Sequence, residues 1–221
     1  MSGSLDWRRV HALWFPPGLE DADTAIHARM FERWFAGGLN AALAPFASFI
    51  EAARSGRLDD WLAVPRGRLS LILVLDQFPR ALFAGTQAAY ACDADALRIA
   101  EAGLRNGQYD ALATPWERTF FFLPLAHAEG PDHRERLERA VALAEAIARD
   151  CPEHLRPLYQ HSANQARGHL AVVSRFGRFP HRNPILKRVS TPEEEVYLAE
   201  GNFVHMRRPA WPGTASAEGQ G

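Results

Sequence analysis

The chain has 221 residues, 47% of them apolar and 23% charged, so one domain of this length can bury a sizeable core. Its net charge of −1 argues against a dedicated nucleic-acid or membrane-surface binder, which carries a clear basic excess. The two cysteines, Cys92 and Cys151, are too few for a disulfide framework and fit no zinc or redox spacing.

In chain order, apolar residues recur at helical rather than alternating spacing almost everywhere, and no stretch reads as a strand. The expected helices cover residues 5–14, 22–36, 39–55, 66–77, 94–105, 115–128, 132–149, 156–175 and 192–201. The first of them follows a start without a signal-peptide run, Asp6, Arg8, Arg9 and His11 all falling within Met1 to Phe15. The strongest apolar run, Leu69 to Leu75, is far short of the roughly 20 residues that span a bilayer, so no membrane association and a cytoplasmic location are expected.

Several helix starts carry capping chemistry. Asp93 can cap a helix that stops at Asn106-Gly107. Thr114-Pro115-Trp116-Glu117 reads as N-cap, proline at the first position and a glutamate reaching back. Asp132 opens a helix with a charge-laced face, and Ser190-Thr191-Pro192-Glu193-Glu194 repeats the capping pattern. The expected architecture is one all-α domain over residues 1–208, a helical-hairpin array or irregular bundle of about nine antiparallel helices. A disordered Pro/Gly/Ala/Ser-rich tail is expected over 209–221.

Two segments break the helical pattern in the same way. Leu75-Asp76-Gln77-Phe78-Pro79-Arg80 and Phe176-Gly177-Arg178-Phe179-Pro180-His181-Arg182-Asn183-Pro184 each follow an apolar helix. Each then sets a Phe-Pro step among polar residues, where a helix must end or kink. The second lies in a run with Arg175, Arg178, Arg182, Lys187 and Arg188 plus His181 and no acid. Guanidinium forks suit carboxylate or phosphate. The same arginines also suit ion pairs to acids such as Asp76 and Glu129 that lock a bundle.

The preceding helix puts His161, Gln165 and His169 on one face. At ~1.5 Å per residue the two histidines are about 12 Å apart and cannot share one metal ion. His127 and Glu129 near another helix end read either as a general base with its orienter or as a structural cap. The aromatic stripes Trp14, Phe15, Phe31, Trp34, Phe35 and Phe120 to Phe122 read as core. No nucleotide loop, zinc motif or nucleophile elbow is present, so no cofactor and no metal are expected.

The ordered set Asp76-Gln77-Phe78-Pro79-Arg80, Phe83-x-Gly85-Thr86, Glu117-Arg118-x-Phe120, Pro124-Leu125-x-His127-x-Glu129, Phe176 to Asn183 and Ser190 to Glu194 resembles the DUF924 family. The resemblance spans roughly residues 8 to 200 and implies an all-α, tetratricopeptide-like fold with no established reaction. It implies a polar signature of Asp76, Gln77, Arg80, Arg118, His127, Glu129, His169, Arg178, His181, Arg182 and Asn183. The chain departs from the family pattern at Ala81 (usually Asn), Ala128 (usually Ser) and Lys187 (usually Gly).

Two function classes follow. In the first, a small anionic ligand is held by Asp76, Gln77, Arg80, Arg118, Arg178, Arg182 and Asn183, with His127, Glu129, His169 and His181 supplying acid–base catalysis. In the second, the helices form a tetratricopeptide-like module that binds a protein partner without catalysis. Nucleic-acid contact through residues 175–188 is a weaker third reading in a chain of net charge −1.

Overall fold

A computed structural model describes residues 5–207, and the expected tail lies outside the described residues. Among these the chain is all-helical, without strands. Nine helices dominate. They are α1 (Trp7–Trp14), α2 (Thr24–Phe35), α3 (Ala47–Arg54), α4 (Pro65–Ile72 with its continuation), α5 (Asp93–Arg105), α6 (Pro115–His127), α7 (His133–Asp150), α8 (Arg156–Phe176) and α9 (Pro192–Glu200). Short helical turns at Asn40–Leu43, Ala44–Phe46, Asp59–Ala63, Gln87–Tyr90, Glu153–Leu155, Pro180–Arg182 and Val204–Met206 link them. No helix among the described residues is long and apolar enough to cross a membrane.

Local chemistry explains the boundaries. Asp6 and Asp23 cap α1 and α2, their carboxylates accepting from the amides of Arg8 and Ile26. Pro45 lies inside the expected 39–55 helix, and there the chain passes through the tight turn Ala44–Phe46 before α3 begins. Thr191 and Glu194 form a reciprocal capping box at α9. At α6 only half of the expected box forms. Thr114 Oγ1 accepts from the Glu117 amide, but the Glu117 carboxylate takes the Thr114 hydroxyl rather than a backbone amide. Asp93 is the first residue of α5 rather than its cap, because its carboxylate is drawn to two arginines.

The first Phe-Pro step is not a helix end. α4 widens into a π turn over Leu73–Gln77 and resumes as Phe78–Leu82. Pro79 has no amide to donate and its ring would crowd the carbonyl four residues back. The widened turn, in which the Phe78 amide donates to the Leu73 carbonyl, makes room for it. The second step does end a helix. Gly177 stops α8 in the left-handed region at φ 71°, and Phe179 leads into the turn Pro180–Arg182.

The core is aromatic where α1, α2, α4 and α6 meet. Trp14 packs edge-on to Phe120 with centroids 5.4 Å apart, Phe15 packs on Trp34, and Phe31 meets Tyr159 of α8. Phe120 and Phe121 are fully buried, and each such ring contributes about 1.5–3 kcal/mol. Phe35 departs from the expected core: it stacks on Phe120 yet stays half-exposed. α7 and α8 form a long hairpin joined by the turn Glu153–Leu155, and α6 packs against α7.

Backbone approach is tightest at Gly67, in the first turn of α4. A Cβ there would lie 2.4 Å from the Trp61 carbonyl oxygen and 2.9 Å from Val64 Cγ2. Helix propensity alone favours alanine over glycine by about 1 kcal/mol. The collision is with backbone, which cannot swing aside, and overpacking of this kind costs about 1–3 kcal/mol. Gly67→Ala is therefore expected to lower the melting temperature by several degrees in a thermal unfolding experiment; an increase would show that α4 and the turn before it separate freely.

Candidate functional site

The two Phe-Pro segments meet. Asp76, in the π turn and fully buried, accepts from His127 Nδ1 at 2.9 and 2.8 Å and from Gln77 Nε2 at 2.6 Å. Arg80, one turn on, lies 3.2 Å from the Asp76 carboxylate and donates to the Asp76 carbonyl at 2.6 Å. Arg80 also binds Asp93 at the start of α5, at 2.8 and 2.9 Å. Arg182, from the second segment, reaches Asp93 at 3.4 Å and donates to the His127 carbonyl at 2.9 Å. Asp76, Asp93 and Arg182 are all buried, so these charges pack against one another instead of lining a wide cavity.

Burial alone would raise the Asp76 carboxyl. The Arg80 charge, His127 and the hydrogen bond from Gln77 outweigh it and hold the group well below the usual carboxylate range. An ionised Asp76 only accepts, so Nδ1 of His127 is the donor and the neutral ring carries its lone pair on Nε2. Among the described residues no hydrogen bond engages Nε2, and the side chain is 22% exposed. This is a histidine oriented by a carboxylate, with its free nitrogen toward the outside.

Arg182 lies against two aromatic rings. Its guanidinium lies 4.5 Å from the Tyr90 ring centre and 4.7 Å from that of Phe179. Its Nε is buried with no hydrogen-bond partner. His169 packs edge-on to Phe179 at 5.4 Å, and His181 meets Phe179 at 5.3 Å and the exposed His205 at 4.5 Å. Burial, with the nearby charges of His127, His205 and Arg182, pushes His169 down to about 3. Burial, with His205 and Arg182, pushes His181 down to about 2. His205 is lowered as well. The site thus gathers nitrogen bases round one arginine with no acid among those histidines. Among the described residues no three His, Cys, Asp or Glu side chains are arranged to hold a metal ion.

Glu129 lies beside this group and braces it. Its carboxylate accepts from the Phe179 amide at 2.7 Å and from Arg188, whose guanidinium also donates to the Phe179 carbonyl at 3.0 Å. Burial raises Glu129, but Arg188, the Phe179 amide and Arg182 leave it lowered overall.

The remaining expected residues serve elsewhere. Arg178 grips Glu194 with two bonds of 2.7 Å, and Asn183 donates to Glu194 and to the Ser190 hydroxyl. These pairs clamp the start of α9, and the Arg178 hydrogen bond is the main cause of holding Glu194 at about 2. Arg118 donates to the carbonyls of Leu112 and Asp110 and pins the loop before α6, apart from the cluster. Arg175 pairs with exposed Glu193. Much of the basic run is therefore balanced by Glu129, Glu193, Glu194 and Asp93, acids that come from other parts of the chain.

Sequence reasoning missed Asp93, Tyr90 and His205. Asp93 was visible as an acid at a helix start, but its two arginine partners are 13 and 89 positions away. Tyr90 and His205 carry no local pattern.

An all-α protein with a carboxylate-oriented histidine and a stacked arginine is the class defined by this geometry. The chain belongs to the family described as "Bacterial protein of unknown function (DUF924)", whose model matches residues 10–202. It is similar to the solved structure of a protein of unknown function, ATU0120, from Agrobacterium tumefaciens. The two are 35% identical over 88% of this chain and 97% of that chain, with a TM-score of 0.64. No curated protein matches the chain.

The departures from the family pattern have separate local settings. Ala81 packs partly buried against the core, and Ala128 is buried at the C-cap of α6, its carbonyl accepting from Arg136. Lys187 is the one non-glycine among the described residues with positive φ, at 54°. A side chain in the left-handed region costs roughly 1–2 kcal/mol, which a glycine avoids while adding unfolded-state entropy. Lys187→Gly is expected to raise stability by about 0.5–1 kcal/mol in urea unfolding; a loss would mean that the lysine side chain holds the loop.

The lowered histidines set a pH dependence. Between their folded values and the ordinary 6.5, His169 and His181 bind protons in the unfolded chain but not in the fold. Stability rises with pH wherever the unfolded state binds more protons. It is therefore complete above about 7 and falls as pH drops below 6.5, with a slope of up to about 1.4 kcal/mol per pH unit for each histidine. Urea titrations from pH 8 to 4 should show this decline, and His169→Asn should flatten it. A flat wild-type profile down to pH 5 would contradict neutral, enclosed histidines.

Proposed function

We propose that the cluster binds a small anion, a carboxylate or a phosphate group, and that His127 moves a proton on the bound molecule. The carrying observation is Arg182. A buried guanidinium with one N–H unpaired is left with a penalty of about 1–3 kcal/mol, which an anionic oxygen would relieve. Contact with the Tyr90 and Phe179 rings restricts the guanidinium, whose planar fork suits a carboxylate or phosphate.

The histidines support the same reading. Burial first, and then the neighbouring cationic groups, Arg182 among them, keep His169, His181 and His205 from taking up protons. A bound anion reverses that balance and favours their protonated forms. His127 has what a general base requires: a donor nitrogen fixed by a buried carboxylate and a second nitrogen left open. Gln77 and Arg80 act through Asp76 and so position the histidine, and Glu129 positions Phe179 and Arg188. Arg118, Arg178 and Asn183 are assigned to the scaffold.

Thermal unfolding with added orthophosphate, and separately with malonate, tests the reading. One of the two should raise the melting temperature, and the rise should be larger at pH 6 than at pH 8 because binding draws protons onto the histidines. Arg182→Lys and His169→Asn should each weaken that ligand by about tenfold or more. A wild type that responds to neither anion overturns the reading, as does an unchanged response in both variants.

A further inference from the structure

A second built site lies at the other end of α6. Glu117, near its start, and His127, at its end, are ten positions apart, or about 15 Å along the axis. Between the end of α1, the loop 15–20 and the first turns of α4 and α6 is a cavity of about 190 Å³. That is below the roughly 300–1,000 Å³ of sites for drug-sized ligands, so its occupant is smaller. One wall is apolar: Phe15, Leu19 and Trp116, with Pro16 at the rim. The other carries His11, Glu20, Arg66 and Glu117.

The polar wall is organised by Glu117, which is 1% exposed. Its Oε1 accepts from His11 Nε2 at 2.8 Å and from Arg66 Nε at 2.7 Å, and its Oε2 accepts from the Thr114 hydroxyl at 2.7 Å. These bonds spend the carboxylate internally and fix the guanidinium by its inner nitrogen. The two terminal nitrogens of Arg66, an exposed residue that lines the cavity, make no hydrogen bond among the described residues. Glu20 is exposed and likewise has no hydrogen bond or ion pair among the described residues. The cavity thus offers two unbonded guanidinium nitrogens of Arg66, whose charge is shared with Glu117, and the unpaired carboxylate of Glu20 beside an apolar lining.

From this arrangement we infer that the cavity binds a free α-amino acid with an apolar side chain. The ligand carboxylate takes the outer edge of Arg66, its ammonium turns to Glu20, and its side chain packs against Phe15, Leu19 and Trp116. A plain aliphatic acid would leave Glu20 facing the ligand without a cation, and an amine would leave Arg66 without an anion.

Calorimetric titration of the full chain in phosphate-free buffer tests this with L-leucine, 4-methylpentanoate and 3-methylbutylamine, which share one hydrocarbon body. Leucine should bind, and each analogue should bind about tenfold more weakly or worse. Arg66→Gln should remove leucine binding. Since Arg66 also pairs with buried Glu117, Glu20→Gln is the second variant: it should weaken leucine several-fold and leave the melting temperature of the free protein unchanged. No heat with leucine or L-phenylalanine at millimolar concentration overturns the inference. Equal binding of leucine and 4-methylpentanoate overturns it as well, as does unaltered leucine binding by Glu20→Gln.

Discussion

An ionised carboxylate with no exposure is tolerable only when its surroundings replace the water it has lost. Asp76 is that group here, and its side-chain partners come from two elements. Gln77 and Arg80 arrive from its own helix, His127 from the end of α6, and Arg80 carries the link onward to Asp93 in α5. Asp93 then meets Arg182, from beyond α8. The packing of α4, α5, α6 and the segment after α8 is thus conditional on one charge. Removing Arg80 would leave that buried charge without its guanidinium, a loss that typically costs about 3–5 kcal/mol.

The basic run is resolved along the same lines. Its charges do not form one patch: they are dealt out to acids on different elements, each pair fixing a boundary. Arg178 secures the start of α9, Arg188 ties Glu129 to the loop after α8, and Arg182 joins that loop to α5. Within this run only Arg182 combines burial, contact with two aromatic rings and an unpaired nitrogen. That combination separates a ligand-binding candidate from arginines that serve the scaffold, although all three share one short stretch of sequence.

Much of the fold was legible because helical periodicity and capping are local. The limits of α5, α6, α8 and α9 fall within a residue or two of expectation, since Gly107, Thr114, Gly177 and the Thr191 box act on their immediate neighbours. The polar signature was legible as a set, but not the division of labour within it. Asn183 and Arg178 look as ligand-ready as Arg182 in sequence; what separates them is Glu194, which has to be in place in three dimensions. Asp93 shows the converse. Its local chemistry suggested a cap, and two distant guanidinium groups outweighed that weaker interaction. His205 and Tyr90 join through side-chain rings alone, which leave no periodic trace.

The π turn in α4 has one more implication. An α-helix advances about 100° per residue, so a turn that absorbs one additional residue changes the rotational phase of everything after it. Leu69 to Leu75 and the stretch from Asp76 to Arg80 are therefore two faces set in different phases on one continuous rod. The hydrocarbon side can stay against the core while the acid and its arginine turn toward α5 and α6. A helix in unbroken register could satisfy the core or the charges, but would have to choose between them.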